Sequence, residues 1–110
     1  MGRFVKGQVV VLPFPFSDLT STKSRPALVV ASLIGDDLIL CQITTVKRND
    51  EYSVPLNGHD FSSGGLPHPS FIRPNHLFTA DSALITRVAG TVTQLKLQEV
   101  TGKLIAIFKN

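Results

Sequence analysis

The chain has 110 residues, of which 43% are hydrophobic and 17% charged, and its net charge is +3 at neutral pH. These values are typical of a folded domain and exclude a disordered tail, so we expect one domain over residues 1–110. The single cysteine, Cys41, excludes an internal disulfide and a cysteine-based zinc site. No apolar run approaches the ~20 residues of a membrane span, and no signal-peptide pattern opens the chain. We therefore expect a cytoplasmic protein, whose mild positive charge either favours a polyanionic partner or only aids solubility.

Two runs of β-branched residues, separated by a polar stretch, open the sequence. Gln8–Leu12 predicts a first strand, which Pro13 and Pro15 should end because proline lacks an N–H and fixes φ. Ser17–Pro26 predicts a loop of ten residues, and connections of that length are usually functional or disordered. Arg25–Ser32 predicts the second strand, with a proline near its start.

Short strands without intervening helices continue the chain as far as a helical C-terminus. Leu38–Val46 and several shorter runs up to Ala89 are typical of β-strands joined by turns. This order favours an antiparallel sheet or a small barrel. Thr93 is a candidate helix N-cap, and Leu97 and Val100 recur beyond it at helical spacing. The sequence therefore predicts a mainly β fold with one terminal helix.

No metal-binding or nucleotide-binding motif is present. His59, His68 and His76 lack the spacing of metal ligands, and Gly64-Gly65 is not followed by the Lys-Ser/Thr of a phosphate-binding loop. We therefore expect no metal and no cofactor. His59 and His68 are candidate acid–base groups because histidine titrates near neutrality, although loop histidines often have no catalytic role.

A set of cations and hydroxyls remains at the predicted strand ends. A guanidinium binds two phosphate oxygens and a threonine hydroxyl donates to another, so an arginine and a threonine from this set suit a phosphodiester. The set comprises Arg25, Thr44, Thr45, Arg73 and Arg87. In RNA the adjacent 2′-hydroxyl is an internal nucleophile. Cleavage then requires in-line positioning, a proton acceptor and stabilisation of the developing charge, but no metal. The alternatives are a surface salt bridge for Arg25 and simple β-propensity for Thr44.

The opening stretch GQVVVLPFPFSDLTSTKSRPALVV resembles that of the MazF/PemK toxin family. Members of that family join a Gly-Asp/Glu-Val/Ile-Val strand to a Pro-Phe-Pro-Phe-like turn, a polar loop and Lys-x-Arg-Pro-Ala-Leu-Val-Leu. The resemblance continues through CQITT, GGLPHPSFIRPNHLFT and LITRVAGTVTQLKLQEV, and so covers most of the chain. It implies a small SH3-like antiparallel β-barrel with a C-terminal α-helix. The sequence departs from the family at Gln8, where an acidic residue is frequent.

The resemblance also implies a function. It suggests the toxin of a type II toxin–antitoxin system, a metal-independent endoribonuclease that cuts single-stranded RNA, including mRNA, at short motifs. Attack by the 2′-hydroxyl would leave a cyclic phosphate and a 5′-hydroxyl. The implied partners are single-stranded RNA, a cognate antitoxin with an acidic tail, and a second copy of the chain in a homodimer. A catalytically silent RNA- or protein-binding barrel and a gyrase-directed toxin are the alternatives.

The resemblance assigns roles to particular residues. The family's catalytic arginine falls on Arg25 and its catalytic threonine on Thr44. Thr45 is adjacent, so a shift of one residue in the alignment would exchange the two threonines, and strand facing distinguishes them because neighbours on a strand point to opposite faces. Phe14 and Phe16 either plug the end of the barrel, or one of the two rings stacks on a base. The predicted RNA-binding residues are Phe16, Lys23, Thr45, Arg73 and Arg87.

Overall fold

The computed structural model describes residues 4–15 and 22–110. Within these ranges the chain forms seven β-strands, two short 3-10 turns and one α-helix. The strands are β1 (Gln8–Pro15), β2 (Thr22–Ser32), β3 (Asp37–Thr44), β4 (Val54–Leu56), β5 (Phe61–Gly64), β6 (Ser70–Asp81) and β7 (Arg87–Val92). The 3-10 turns are Gly58–Asp60 and Ser82–Leu84, and the helix α1 is Gln94–Lys109.

All seven strands belong to one antiparallel sheet, in the order β4-β6-β3-β2-β1-β7-β5. The two edge strands, β4 and β5, follow each other directly in the chain. The link from Leu56 to Phe61 reaches at most about 17 Å, whereas seven flat strands would hold the edges about 29 Å apart. The sheet therefore curls towards a barrel. The prediction of a mainly β, barrel-like antiparallel fold with a C-terminal helix is confirmed.

The strands bury side chains on both faces of the sheet. The helix-side cluster comprises Val9, Leu28, Cys41, Ile43, Val54, Leu56, Ile72, Val92, Leu97 and Val100. The second cluster comprises Val10, Leu12, Ala27, Val29, Leu38, Leu40 and Ala80. Consecutive residues such as Val9 and Val10 enter different clusters because side chains alternate along a strand. Burial on both faces explains why these strands are apolar throughout, and each fully buried aliphatic side chain contributes roughly 1.5–3 kcal/mol.

The prediction that Pro13 and Pro15 end the first strand is wrong. Pro13 pairs with Ser24 and Pro15 with Thr22, so β1 continues through both prolines. The carbonyl of Val11 accepts a hydrogen bond from the Thr86 N–H at 2.8 Å, which shows that Val11 directs its backbone groups away from β2. Pro13 and Pro15 share that direction because it alternates along a strand. The last pair with β7 involves Val11, so no described strand needs an N–H from either proline.

The predicted ten-residue loop Ser17–Pro26 is also wrong in its extent. The strand β2 begins at Thr22, and residues 16–21 lie outside the described part of the chain. Lys23, Ser24, Arg25 and Pro26 are therefore strand residues. Arg25 consequently has a defined register, opposite Leu12 of β1.

The helix α1 begins as its sequence predicts. The Thr93 hydroxyl accepts a hydrogen bond from the Lys96 N–H at 3.2 Å, which confirms the N-cap. Lys96 is buried, and its ammonium group donates to Pro55 O at 2.9 Å and to Glu99 Oε1 at 2.8 Å, with Asp60 Oδ1 at 3.7 Å. This paired charge ties α1 to β4 and to the first 3-10 turn. In the described ranges no helix, α1 included, has the length and apolarity needed to cross a membrane.

Candidate nucleic-acid interface at one end of the sheet

The cations and threonines singled out from the sequence lie at one end of the sheet. Antiparallel pairing brings together the end of β1, the start of β2, the end of β3 and the starts of β6 and β7. We call this end the strand-end rim. It consists of Leu12–Pro15, Thr22–Pro26, Gln42–Thr45, Ser70–Arg73 and Arg87. The fold therefore gathers positions as far apart in the chain as Leu12 and Arg87.

Strand alternation divides the rim into two faces. Arg25 pairs with Leu12, and Gln42 pairs with Ala27, so both lie on the face of the second cluster. Thr44 is two residues beyond Gln42 and shares its face. The Ala27–Gln42 register, continued by two residues on each strand, sets Arg25 opposite Thr44. We call this side, which carries Arg25, Gln42, Thr44, Arg73 and His76, the Arg25 face.

Arg73 makes the Arg25 face strongly cationic. It pairs with Gln42 across β3 and β6, and its side chain is only 11% exposed. Its Nη2 lies 3.9 Å from Asp50 Oδ2, and its buried Nε has no hydrogen-bond partner among residues 4–15 and 22–110. A buried guanidinium nitrogen without a partner is uncommon in folded proteins. The charge of Arg73 nevertheless adds to the positive potential of this face.

Two titratable groups beside Arg73 respond to this charge. The pKa of His76 is held below its ordinary value of 6.5 by partial desolvation and by the nearby Arg73 and Arg48 guanidinium groups, so the imidazole is mainly neutral at neutral pH. Hydrogen bonds from the N–H groups of Ser53 and Tyr52, both 2.9 Å long, lower the pKa of Asp50. Asp50 therefore stays ionised next to Arg73.

The opposite face of the rim contains a cavity of about 350 Å³, and we call this side the cavity face. Its walls are Val11, Ser24, Pro26, Thr45, Leu66, Pro67, His68, Ser70, Thr86 and Arg87. The Thr86 hydroxyl donates to Val11 O at 3.0 Å, and the Ser70 hydroxyl donates to His68 O at 2.9 Å. Apolar walls with a few polar groups are typical of small-molecule and base-binding sites.

A close backbone approach holds one wall of this cavity in place. Gly64 has a φ of +68°, and a Cβ at Gly90 would lie 2.5 Å from Ser63 O. Only glycine allows β5 and β7 to approach this closely. The turn that follows carries Leu66, Pro67 and His68 against the start of β7. The Gly64-Gly65 pair is thus a structural feature and not a phosphate-binding loop.

The remaining predicted residues have diverse positions. Lys23 is exposed on β2 opposite Phe14, Thr45 and Arg87 line the cavity, and Phe16 lies outside the described residues. His59 is exposed, with its Nε2 3.5 Å from Asp60 Oδ1 near the start of α1. The two threonines are separated by strand facing, because Thr44 shares the face of Arg25 and Thr45 belongs to the cavity face.

Sequence reasoning missed Gln42 and His76 as members of the Arg25 face. A polar residue within the otherwise apolar LILCQI run was the available signal for Gln42. No sequence signal pointed to His76. This residue lies beyond Arg73 on β6, and its position beside Gln42 results from the irregular register between β3 and β6. The sequence alone could not have placed His76 beside Arg73.

Neither a metal centre nor a reactive thiol is found in the described part of the chain. No group of three or more His, Cys, Asp or Glu residues within positions 4–15 and 22–110 lies close enough to hold a metal ion. Burial raises the pKa of the Cys41 thiol to about 12, so this cysteine is protonated and serves as an apolar packing residue.

Known proteins resemble this chain in sequence pattern or in fold. A family profile described as "PemK-like, MazF-like toxin of type II toxin-antitoxin system" matches residues 5–108. No curated protein sequence gives a significant match. An endoribonuclease in complex with its cognate antitoxin, from a mycobacterial species, superposes with a TM-score of 0.78 at 16% identity, covering 96% of this chain and 95% of its own.

Two further solved structures share the fold. The Mycobacterium tuberculosis toxin MazF-mt6 has a TM-score of 0.74 at 16% identity, covering 93% of this chain and 96% of its own. MazF of a MazE-MazF structure from Deinococcus radiodurans has a TM-score of 0.75 at 21% identity, covering 96% of both chains. At these identities the superpositions establish a common fold.

Proposed function

The chain belongs to the family of PemK-like, MazF-like toxins of type II toxin–antitoxin systems, and we propose that it is an endoribonuclease that cuts single-stranded RNA at short motifs without a metal ion. Some of the solved structures that share its fold are described as endoribonucleases. This chain would act on mRNA in the cytoplasm.

One observation carries the proposal. Arg25 and Thr44 lie on neighbouring strands and on the same face, each two residues beyond the last β2–β3 pair, Ala27 with Gln42. Arg25 is half-buried. A guanidinium and a hydroxyl on one face suit a single phosphodiester, because the guanidinium binds two phosphate oxygens and the hydroxyl donates to another.

The Thr44 hydroxyl is oriented for this role. Its Oγ1 accepts a hydrogen bond from the Val46 N–H at 3.1 Å. A hydroxyl has one proton to donate besides its acceptor sites. Since the Val46 contact uses an acceptor site, the Thr44 proton is available for a phosphate oxygen. The bend after β3 therefore positions the hydroxyl without consuming its donor.

The chemistry follows from these groups. The ribose 2′-oxygen attacks phosphorus while its proton passes to a base, the bond from phosphorus to the 5′-oxygen breaks, and the 5′-oxygen takes up a proton. The products are a 2′,3′-cyclic phosphate and a 5′-hydroxyl. Arg25 binds the non-bridging oxygens and offsets the charge that grows on them, and Thr44 donates to the same group.

The proposal includes the partners and the other RNA-binding residues. Lys23, Thr45, Arg73 and Arg87 surround the rim and supply cations and a hydroxyl for flanking nucleotides. A cognate antitoxin would bind the toxin, as in the mycobacterial complex, with acidic groups opposite the cationic Arg25 face. The chain would form a homodimer.

Cleavage of end-labelled single-stranded RNA in excess EDTA tests the proposal. We expect discrete fragments that carry a cyclic phosphate and a 5′-hydroxyl. The matched control is the same RNA with a 2′-deoxy nucleotide at the cleaved position, which should resist cleavage because it lacks the nucleophile. Fragments with a 5′-phosphate, or activity that EDTA removes, would contradict the mechanism. Inhibition of gyrase supercoiling without RNA cleavage would support the alternative target.

A further inference from the structure

A second, smaller recess lies on the Arg25 face. Its volume is about 180 Å³, and it is lined by Phe14, Gln42, His76, Leu77 and Phe78. Of these residues, only Phe14 was considered from the sequence as an RNA contact, being one of two rings that could stack on a base. The recess opens beside the position of Thr44, because Gln42 precedes Thr44 by two residues on the same face of β3.

We propose that this recess binds one unpaired base of the RNA strand whose phosphate lies at Arg25 and Thr44, and that the Gln42 amide reads the hydrogen-bonding edge of that base. The inference rests on the proposed function and adds to it the residue that selects one nucleotide of the cleavage motif. RNA is read in this way when unstacked bases are turned towards aromatic and amide side chains.

The position of Gln42 fits this role. Two residues along a strand correspond to about 7 Å, a distance comparable with one nucleotide. Gln42 also pairs with Arg73 across β3 and β6, so a second cation flanks the recess on the side away from β2. A base in the recess therefore lies between two groups that attract its neighbouring phosphates.

The Gln42 side chain offers unused hydrogen-bonding groups. Its amide has no hydrogen-bond partner among the described residues, although the side chain is half-buried. The group carries both an acceptor oxygen and a two-proton donor, which allows a paired contact with one base edge. A half-buried amide that leaves both functions unmet suits an external polar partner.

The other walls are suited to a planar ring. Phe14 and Phe78 pack edge to face, with ring centroids 4.9 Å apart and planes at 72°, so each ring fixes the other. Rigid aromatic surfaces stack on bases with little entropic cost. His76 completes the recess with an imidazole that is mainly neutral at neutral pH, and can therefore accept as well as donate a hydrogen bond.

The test compares wild-type protein with Gln42→Met and Gln42→Glu on a randomised single-stranded RNA pool, with cleavage sites determined by sequencing. Methionine keeps the volume but removes the amide, so the base preference at one motif position should fall about tenfold while the other positions keep theirs. Glutamate only accepts, so the preference should move towards bases that present an exocyclic amino group. Gln98→Glu, at an exposed position of α1, is the matched control and should leave the motif unchanged.

A second readout separates this inference from the proposed nuclease activity. Short 2′-O-methyl RNAs cannot be cleaved. Their binding to the wild type and to the two Gln42 variants measures base preference directly. Cleavage with an unchanged motif and unchanged binding preference in both Gln42 variants would overturn the recess and leave the nuclease intact. Selective binding that Gln42→Met abolishes, without cleavage by the wild type, would support the recess and refute the nuclease. A wild type that neither binds nor cleaves RNA would overturn both. Gln42 variants that change only the oligomeric mass would overturn the recess alone.

Discussion

The Arg25 face and the cavity face are built from the same stretches of β2 and β3, yet they carry different chemistry. The Arg25 face carries two arginines and a recess lined by an amide, an imidazole and apolar side chains. On the cavity face, hydroxyls and one exposed arginine surround a larger hollow with apolar walls. Under the proposals above, the first face holds the phosphodiester and one neighbouring base, and the second holds another base or sugar.

Because side chains alternate along each strand, the two faces of the rim can carry different chemical groups. Arg25 and Ser24 are neighbours, as are Thr44 and Thr45, but each pair sends its side chains to opposite faces. A strand of RNA that crosses the rim would therefore meet Arg25 and Thr44, the proposed catalytic pair, on one side and the cavity on the other. The predictions below test whether chemistry and binding divide between the faces in this way.

The largest expected effect is that of Arg25→Ala on cleavage. Loss of a preorganised donor to the transition state costs about 10²–10³-fold in kcat, and Arg25→Lys should recover little because an ammonium lacks the two-pronged guanidinium geometry. Arg87→Ala, on the cavity face, is the matched control. It should mainly raise KM and flatten the salt dependence of binding, since it removes one phosphate contact.

Single-turnover cleavage rates and RNA titrations of both variants measure these effects, with thermal unfolding to verify that each variant folds. Equal losses of kcat in Arg25→Ala and Arg87→Ala would show that the two faces do not divide the work. Unchanged activity in Arg25→Ala would refute the assigned mechanism.

An intermediate effect is expected from the adjacent threonines. Thr44→Ala removes a donor to a charged phosphate, a contact worth roughly 1.5–3 kcal/mol, so kcat should fall about 10- to 100-fold. Thr44→Ser keeps the hydroxyl and should retain most activity. Thr45→Ala should change KM more than kcat because its side chain lines the cavity. If Thr45→Ala proves the more damaging change to kcat, the catalytic threonine is on the cavity face.

The smallest effect concerns the titration of His76. Its imidazole faces Arg73, Arg48 and Asp50, and its pKa lies below 6.5. In an NMR titration, Arg73→Gln should raise that pKa because one repelling charge is removed, while Arg87→Gln on the opposite face should not. Since the unfolded chain binds the proton more readily, this group should cost a little stability as pH falls below 6.5. A pKa that responds equally to both variants would contradict the separation of the faces.

Much of the fold followed from local pattern. Thr93 and the helical spacing of Leu97 and Val100 predicted where α1 begins and which side it buries. The prolines misled the strand boundary, because whether Pro13 can lie in a strand depends on whether a neighbour needs its N–H. The pairing of β1 with that neighbour, β7, ends at Val11. This pairing joins residues far apart in the chain, so local sequence does not reveal where it ends.

The candidate site was predictable to a lesser extent. Arg25 and Thr44 were singled out by a family motif, and the structure places them on neighbouring strands of the same face, where their roles stay predictions. Gln42 and His76 were missed, because a single glutamine or histidine within a strand has no distinctive sequence pattern. Their importance arises from the register that sets Gln42 opposite Arg73.

The sequence by itself determined the alternation of the strands, the start of the helix and the membership of a toxin family, since all three depend on residue types at short spacing. Only the tertiary structure decided that the sheet curls and that Thr44, not Thr45, lies on the same face as Arg25. It also decided that a recess of about 180 Å³ lies beside them. These features depend on strand register and on β4 and β5 being joined by a short link, and register is a property of residues that meet only after folding.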